Sequence, residues 1–213
     1  MILVTGITSG LGKYLHSRLE CDGWSHNDPI PSKRYTKIIH CANSKNHYEN
    51  IDMLERLFSV PCDTFVYTSS VDVHSAFNLG YTGYAMSKLR CEQFVRQSYD
   101  NYLILRLGAM VGGDSRPNAI IKMLNGQKVT LSPESTISYM RHESVLPYLD
   151  RTGTINVLGN VMKLRDIVEE LGLAAPEYGE FPYYTPEIEP THKTMDELKG
   201  YIRDIHSDQE QAQ

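Results

Sequence analysis

Paired cysteines are missing from this sequence. Among 213 residues there are only four cysteines, Cys21, Cys41, Cys62 and Cys91, and they make no CxxC pair. They read as ordinary residues of a protein in a reducing cytosol. The eight histidines show no ligand spacing, so no metal site is expected. No apolar run approaches the roughly 20 residues of a membrane span, so no membrane partner is expected. The chain opens on a strand-like Met1-Ile2-Leu3-Val4 rather than a basic segment and a long apolar stretch. A secretory signal is therefore not expected, and the cytoplasm is the expected location. Basic residues form no stripe and the net charge is −5, which argues against nucleic acid as a partner. Internal repeats and long low-complexity tracts are absent as well. What is present is ordinary for a globular domain: 41% hydrophobic and 22% charged residues, in a chain long enough for one sizeable core and a small appendage.

Along the chain, strand and helix signals alternate. Ile2–Thr5 is a short β-branched apolar run, which reads as a buried strand. Leu11–Cys21 has leucines at helical spacing, with Gly23 just past its end. Strands are expected at Lys37–Cys41, Thr64–Ser69, Tyr102–Leu107 and Thr154–Leu158, and helices at Asn46–Val60, Tyr84–Ser98 and Lys163–Leu171. Strands separated by helices imply parallel pairing with right-handed crossovers. The expected fold is thus α/β, a Rossmann-like doubly wound parallel sheet with helices on both faces. Between Cys21 and Lys37 there are too few residues for a full strand and a crossover helix, so the second strand should be stunted and its helix missing. From Ala174 the chain is punctuated by prolines, and a last helix over Thr194–Ile205 is expected to be capped by Thr194 with Glu197. The expected organisation is one domain, 1–213, with a small substrate lobe from about 109–150 and 174–213.

Two features carry chemistry. The first is the turn Thr5-Gly6-Ile7-Thr8-Ser9-Gly10-Leu11-Gly12 between the first strand and first helix. Its glycines permit a tight turn, close approach of backbone to a pyrophosphate, and tight helix–strand packing. The helix it opens aims N–H groups at the anion. The bland alternative is a glycine-rich turn without a ligand. The second is Tyr84 with Lys88, four apart and so on one helical face. A cation beside a phenol favours the phenolate and makes the tyrosine a usable acid or base.

Taken jointly, the glycine turn, Val66-Tyr67-Thr68-Ser69-Ser70 and Tyr84-x-x-x-Lys88 resemble the short-chain dehydrogenase/reductase superfamily. Ile38-Ile39-His40-Cys41-Ala42, Tyr84 through Glu92, and Ile104 through Gly112 narrow the resemblance to the extended branch, the NAD-dependent epimerase/dehydratase family. It covers about residues 1–172. The resemblance implies NAD or NADP as cofactor and a small-molecule substrate, a sugar or sugar nucleotide, changed at a hydroxyl or carbonyl. It implies Tyr84 as acid/base, Lys88 on the nicotinamide ribose and lowering the Tyr84 pKa, and Ser70 orienting the substrate oxygen, with Ser69 a rival. It places Gly6, Thr8, Ser9, Gly10, Leu11 and Gly12 around the pyrophosphate. Cys41, Ala42, Asn43, Leu107 and Gly108 would line the cofactor.

The departures from that family's pattern leave alternatives open. Asp28 is the nearest acid to the end of the second strand and would suit the ribose hydroxyls of NAD, whereas Lys33 and Arg34 would suit a 2′-phosphate. Arg141 and His142 are candidate phosphate ligands. Val71, where dehydratases carry a catalytic acid, disfavours dehydration. Helices 46–60 and 84–98 are candidates for a homodimer contact through Met53, Leu57, Met86 and Val95, residues that can equally face the sheet. The short substrate lobe motivates the alternative of a non-enzymatic dinucleotide sensor or scaffold.

Overall fold

The computed structural model describes residues 1–44, 46–75, 83–174 and 176–211, the side chains of residues 47 and 208–211 aside. Strand β1 (Ile2–Thr5) leads through the glycine turn into helix α1 (Gly10–Arg18), followed by β2 (Cys21–Trp24) and β3 (Tyr35–His40). Helix α2 (His47–Phe58), β4 (Cys62–Ser70), α3 (Gly83–Ser98) and β5 (Tyr102–Leu107) follow. The chain then forms β6 (Ala109–Val111), α4 (Ala119–Leu124), β7 (Thr136–Ile137), β8 (Tyr139–Arg141), β9 (Gly153–Val157), β10 (Met162–Lys163), α5 (Leu164–Glu170) and α6 (Thr194–Gln211).

Six strands make one sheet in the order β2-β1-β3-β4-β5-β9. The pairings β1–β2, β1–β3, β3–β4 and β4–β5 are all parallel. The chain divides into two compact units, Met1–Leu107 with Val145–Asn156, and Gly108–Ser144 with Val157–Gln213. The first holds a core of Leu3, Ile38, Leu54, Leu57, Phe65, Tyr67, Val95 and Ile104. The second has its own core around Val111, Tyr139, Ile167 and Leu198. No helix among the described residues is long and apolar enough to cross a membrane.

The doubly wound parallel sheet is as expected, including the stunted second strand. That strand has four residues, and only turns and bends connect it to β3. Its start corrects one boundary: the first helix stops at Arg18, and Cys21 and Gly23 belong to β2. Gly23 lies in the strand opposite Val4, where an added Cβ would meet the side-chain ends of Ile7 and His16 (2.6 and 2.8 Å).

Two expectations about helices are also corrected. The Thr194–Glu197 capping box does not form. Thr194 instead bonds Asn160 through its hydroxyl and accepts the Tyr139 N–H, while Glu197 accepts the Arg141 N–H and the Ser144 hydroxyl. Both partners serve tertiary contacts in preference to their own helix. Of the four candidate dimer contacts, Met53, Leu57 and Val95 are buried in the chain's own interior. Their stripe is core.

Candidate active site

The glycine turn divides three tasks among its glycines, and the geometry separates them. Gly6 has φ +72°, and a Cβ there would lie 2.7 Å from the Ala42 nitrogen, so the turn presses against the end of β3. Gly12 packs so tightly that a Cβ would sit 2.4 Å from the Gly6 carbonyl oxygen. Gly10, at φ +59°, has nothing within 4 Å of the same probe position. Two glycines thus fit the chain to itself, and the middle one leaves room for something else. Ser9 precedes α1 without a side-chain cap, and the first turn carries no acidic residue. The N–H groups of that turn are therefore oriented for an anion, with no carboxylate competing. These observations fit a pyrophosphate against Ser9, Gly10 and Leu11, with Thr8 exposed beside them.

The neighbouring loop is pinned by buried polar groups. Thr5 bonds His40 Nδ1 at 2.8 Å and accepts the Ala42 N–H at 3.4 Å. Burial pushes His40 down to about 3, helped by the nearby Lys88 charge, so its imidazole is neutral at physiological pH. Asn50 on α2 accepts the Ser44 N–H, donates to the Ser44 carbonyl, and donates to Ser87 on α3. Residues Cys41, Ala42 and Asn43 are thereby held between the glycine turn and the two helices.

Ser70 ends β4, and Leu107, its register partner, ends β5. The Ser70 hydroxyl accepts the Asp72 N–H at 3.2 Å and favours ionisation of the Tyr84 phenol. The hydroxyl of the neighbouring Ser69 donates instead to the buried Glu92 carboxylate at 2.7 Å. Lys88 is buried and donates to the Thr68 carbonyl at 2.9 Å. Its Nζ lies 5.0 Å from the Tyr67 ring centroid and 5.9 Å from that of Tyr84. Gly108 follows Leu107 and is crowded by the Ser138 hydroxyl, which excludes any side chain there.

The electrostatics correct one expectation. Tyr84 is pushed up to about 12, first by burial and then by the Asp72 carboxylate, with the Ser70 bond acting in the opposite sense. Lys88 does not offset this. Its ammonium is directed at the Thr68 carbonyl, and burial brings it down to about 8. The chain's own groups thus hold Tyr84 as a protonated phenol, ready to donate.

Several other candidates are redirected. Lys33 pairs with Asp22, and Arg34 pairs with Asp63 at the start of β4. Both face the amino ends of the strands, away from the glycine turn. Asp28 folds back, its carboxylate accepting the Ser25 N–H at 2.8 Å just past the end of β2. In the second unit, Arg141 pairs with Glu143 and Asp204, and His142 is buried beside Ser115. Neither candidate phosphate ligand is a solvent-facing charge awaiting a partner.

Sequence reasoning assigned no role to Glu92, Arg106, His40 or Asn50. One signal was present: Arg106 interrupts an otherwise apolar strand. Another was the spacing of Tyr84, Lys88, Glu92 and Arg96, each four from the last and so on one stripe of α3.

No family model matches this chain, and no curated protein matches it. Solved structures do. UDP-glucuronic acid 4-epimerase from Bacillus cereus, in complex with a fluorinated UDP-glucuronic acid and NAD, aligns over 96% of this chain and 99% of its own, with TM-score 0.69 and 16% identity. A dTDP-4-dehydrorhamnose reductase from Clostridium acetobutylicum aligns over the same shares, with TM-score 0.70 and 16% identity. RMD from Pseudomonas aeruginosa, complexed with NADPH, aligns over 96% and 99%, with TM-score 0.61 and 17% identity. The chain shares the fold of these proteins.

Proposed function

We propose that the chain is an NAD(P)-dependent oxidoreductase or epimerase acting on a hydroxyl or carbonyl of a sugar or sugar nucleotide. One observation carries the reading. Ser70 closes its strand at the carboxyl edge of the sheet and acts on the Tyr84 phenol, and Lys88 is buried with its Nζ 5.9 Å from the centre of the same ring. That edge also carries a glycine turn with room beside Gly10. Similarity of fold to an epimerase in complex with a UDP-sugar analogue and NAD, to a dTDP-4-dehydrorhamnose reductase, and to RMD complexed with NADPH supports it.

In this reading Gly6, Ser9, Gly10, Leu11 and Gly12 surround the pyrophosphate, and Cys41, Ala42, Asn43, Leu107 and Gly108 line the remainder. The dinucleotide supplies hydride transfer. Tyr84 delivers a proton to the substrate oxygen when a carbonyl is reduced, and takes it back in the reverse direction. Ser70 donates to the same oxygen and fixes its distance from the phenol. Lys88, buried at the same edge, would donate to the nicotinamide ribose. The substrate lobe in this reading is formed by about residues 109–150 and 174–213.

A non-enzymatic sensor needs a dinucleotide cradle but has no use for a serine, a tyrosine and a buried lysine at the same sheet edge, and that set favours the enzymatic reading. Thermal shift with NAD, NADP and a panel of sugar nucleotides identifies ligands through their stabilisation of the folded state. With an active pair in hand, Tyr84→Phe should lower turnover by about 10²-fold or more. Wild-type turnover in that variant would eliminate the mechanism.

A further inference from the structure

The Glu92 carboxylate accepts hydrogen bonds from three side chains. It is fully buried. Ser69 on β4 donates to it at 2.7 Å, Arg106 on β5 through Nε and Nη2 at 2.9 and 2.7 Å, and Arg96, one turn further along α3, at 2.9 Å. Arg106 also reaches His74 at 3.2 Å, and His74 meets Asn156 on β9 at 3.0 Å. One carboxylate therefore joins the helix that carries Tyr84 and Lys88 to the strand that carries Ser70 and to the next strand.

The placement is specific. Glu92 is one helical turn past Lys88 and two past Tyr84, so all three lie on one stripe. Ser69 directly precedes Ser70, and successive residues of a strand point to opposite sides. A shift of α3 by a fraction of a turn would break the Ser69 and Arg106 bonds and leave the buried charge with only Arg96 of its own helix, which is strongly unfavourable. Apolar packing of a helix on a sheet penalises small slides weakly. A bidentate, directional ion pair penalises them steeply.

We propose that Glu92 is a positioning residue: its carboxylate, bonded at once to β4, β5 and its own helix, sets the register of α3 against the sheet and so the approach of Tyr84 and Lys88 to Ser70. This rests on the reading that Tyr84, Lys88 and Ser70 act on the substrate. The clamp itself lies apart from the glycine turn.

The test uses the full chain with Glu92→Gln and Ser69→Ala. Glutamine keeps the size but presents an amide where Arg106 needs an acceptor. Ser69→Ala removes only the strand bond and keeps the Glu92–Arg106 pair, so it decides the matter if Glu92→Gln does not fold. Two readouts are taken: kcat and KM on whichever sugar nucleotide is turned over, with the dinucleotide Kd; and the 13Cζ resonance of Tyr84 at neutral pH, assigned with Tyr84→Phe. The expected result is a kcat lower by about tenfold or more for Glu92→Gln and by a smaller factor for Ser69→Ala, given that misplacement by about 1 Å can cost 10²-fold. KM and dinucleotide Kd should stay within about twofold, and the Tyr84 resonance should move as the phenol shifts against Ser70, Asp72 and Lys88. A folded variant with the Tyr84 resonance unmoved overturns the proposal, leaving the cluster a purely stabilising one. The resonance needs no turnover, so it decides the positioning role even if Tyr84→Phe shows that the tyrosine is not catalytic.

Discussion

The two ends of the six-stranded sheet treat charge in opposite ways. At the amino end, Arg34 and Asp63 pair in solvent, their side chains 67% and 50% exposed. Lys33 and Asp22 do the same. Such pairs satisfy themselves and contribute about 0–1 kcal/mol each. At the carboxyl end, His40, Lys88 and Ser70 are buried, Tyr84 is half-buried, and burial pushes the three titratable groups toward their neutral forms. Perturbed groups gathered at one edge mark it as the end where a ligand's charge has leverage. The amino end is finished, whereas the carboxyl end is arranged around something else.

The sharpest way to break this contrast is at the glycine turn. Gly12→Ala would place a methyl 2.4 Å from one backbone oxygen and 2.7 Å from another, neither able to move without the sheet. Overpacking of this kind costs about 1–3 kcal/mol or more. We expect a large drop in Tm together with loss of dinucleotide binding. Gly10→Ala meets no atom and costs only the strain of a positive φ, about 1–2 kcal/mol. It should fold, with a modest Tm loss, yet bind dinucleotide at least about tenfold more weakly, because its methyl enters the space left for the pyrophosphate. Calorimetry on both variants separates a turn built for the chain from one built for a ligand. Equal binding by Gly10→Ala and wild type would remove the ligand from the account.

His40 sharpens the comparison through pH. Its folded value of about 3 lies below the ordinary 6.5. The unfolded chain therefore binds the proton more readily. The stability His40 contributes is complete above pH 6.5 and is lost as pH falls through the window toward 3, a total on the order of a few kcal/mol. His40→Asn keeps an acceptor for the Thr5 hydroxyl and cannot titrate. Urea unfolding should therefore show wild type more stable at pH 7, with the gap closing by pH 4. A gap independent of pH would mean that His40 charges without penalty, contrary to its burial.

These particulars show what the sequence exposed. Ser70, Tyr84 and Lys88 were legible because helix periodicity and strand ends are local properties. The glycine turn was legible because φ > 0 and close approach demand glycine. The missing helix after β2 followed from counting residues. What stayed hidden depended on which surface each polar residue met. Ser69 and Ser70 look alike in sequence, and only the arrival of Glu92 from α3 separates them. Thr194 and Glu197 have the spacing of a cap, but Tyr139, Asn160, Arg141 and Ser144 reach them first. Lys88 four residues from Tyr84 suggested a depressed phenol. Burial of the phenol and then the Asp72 carboxylate, neither readable from the spacing, reverse the sign.

The smallest predicted effects concern the adenosine end of the cradle, where the two ends of the sheet can be compared through one ligand. Lys33 and Arg34 were the cations available for a 2′-phosphate, and both are paired at the amino end. What stands beyond β2 is the Asp28 carboxylate, returned to the strand end by the Ser25 N–H. The cation at this turn, Arg56, lies over Trp24 and donates to the carbonyls of His26 and Asp28. A carboxylate beside a ribose accepts its hydroxyls and repels a phosphate. NADH should therefore bind more tightly than NADPH by about tenfold, or about 1.4 kcal/mol, with Asp28→Asn narrowing the difference. Arg34→Ala should change neither affinity, and should alter stability by less than about 0.5 kcal/mol. Fluorescence titration of the two reduced dinucleotides against these variants is sufficient. If Arg34→Ala weakened NADPH alone, the guanidinium would have to leave Asp63 and act at the opposite edge, and the division between a finished end and a receptive one would fail.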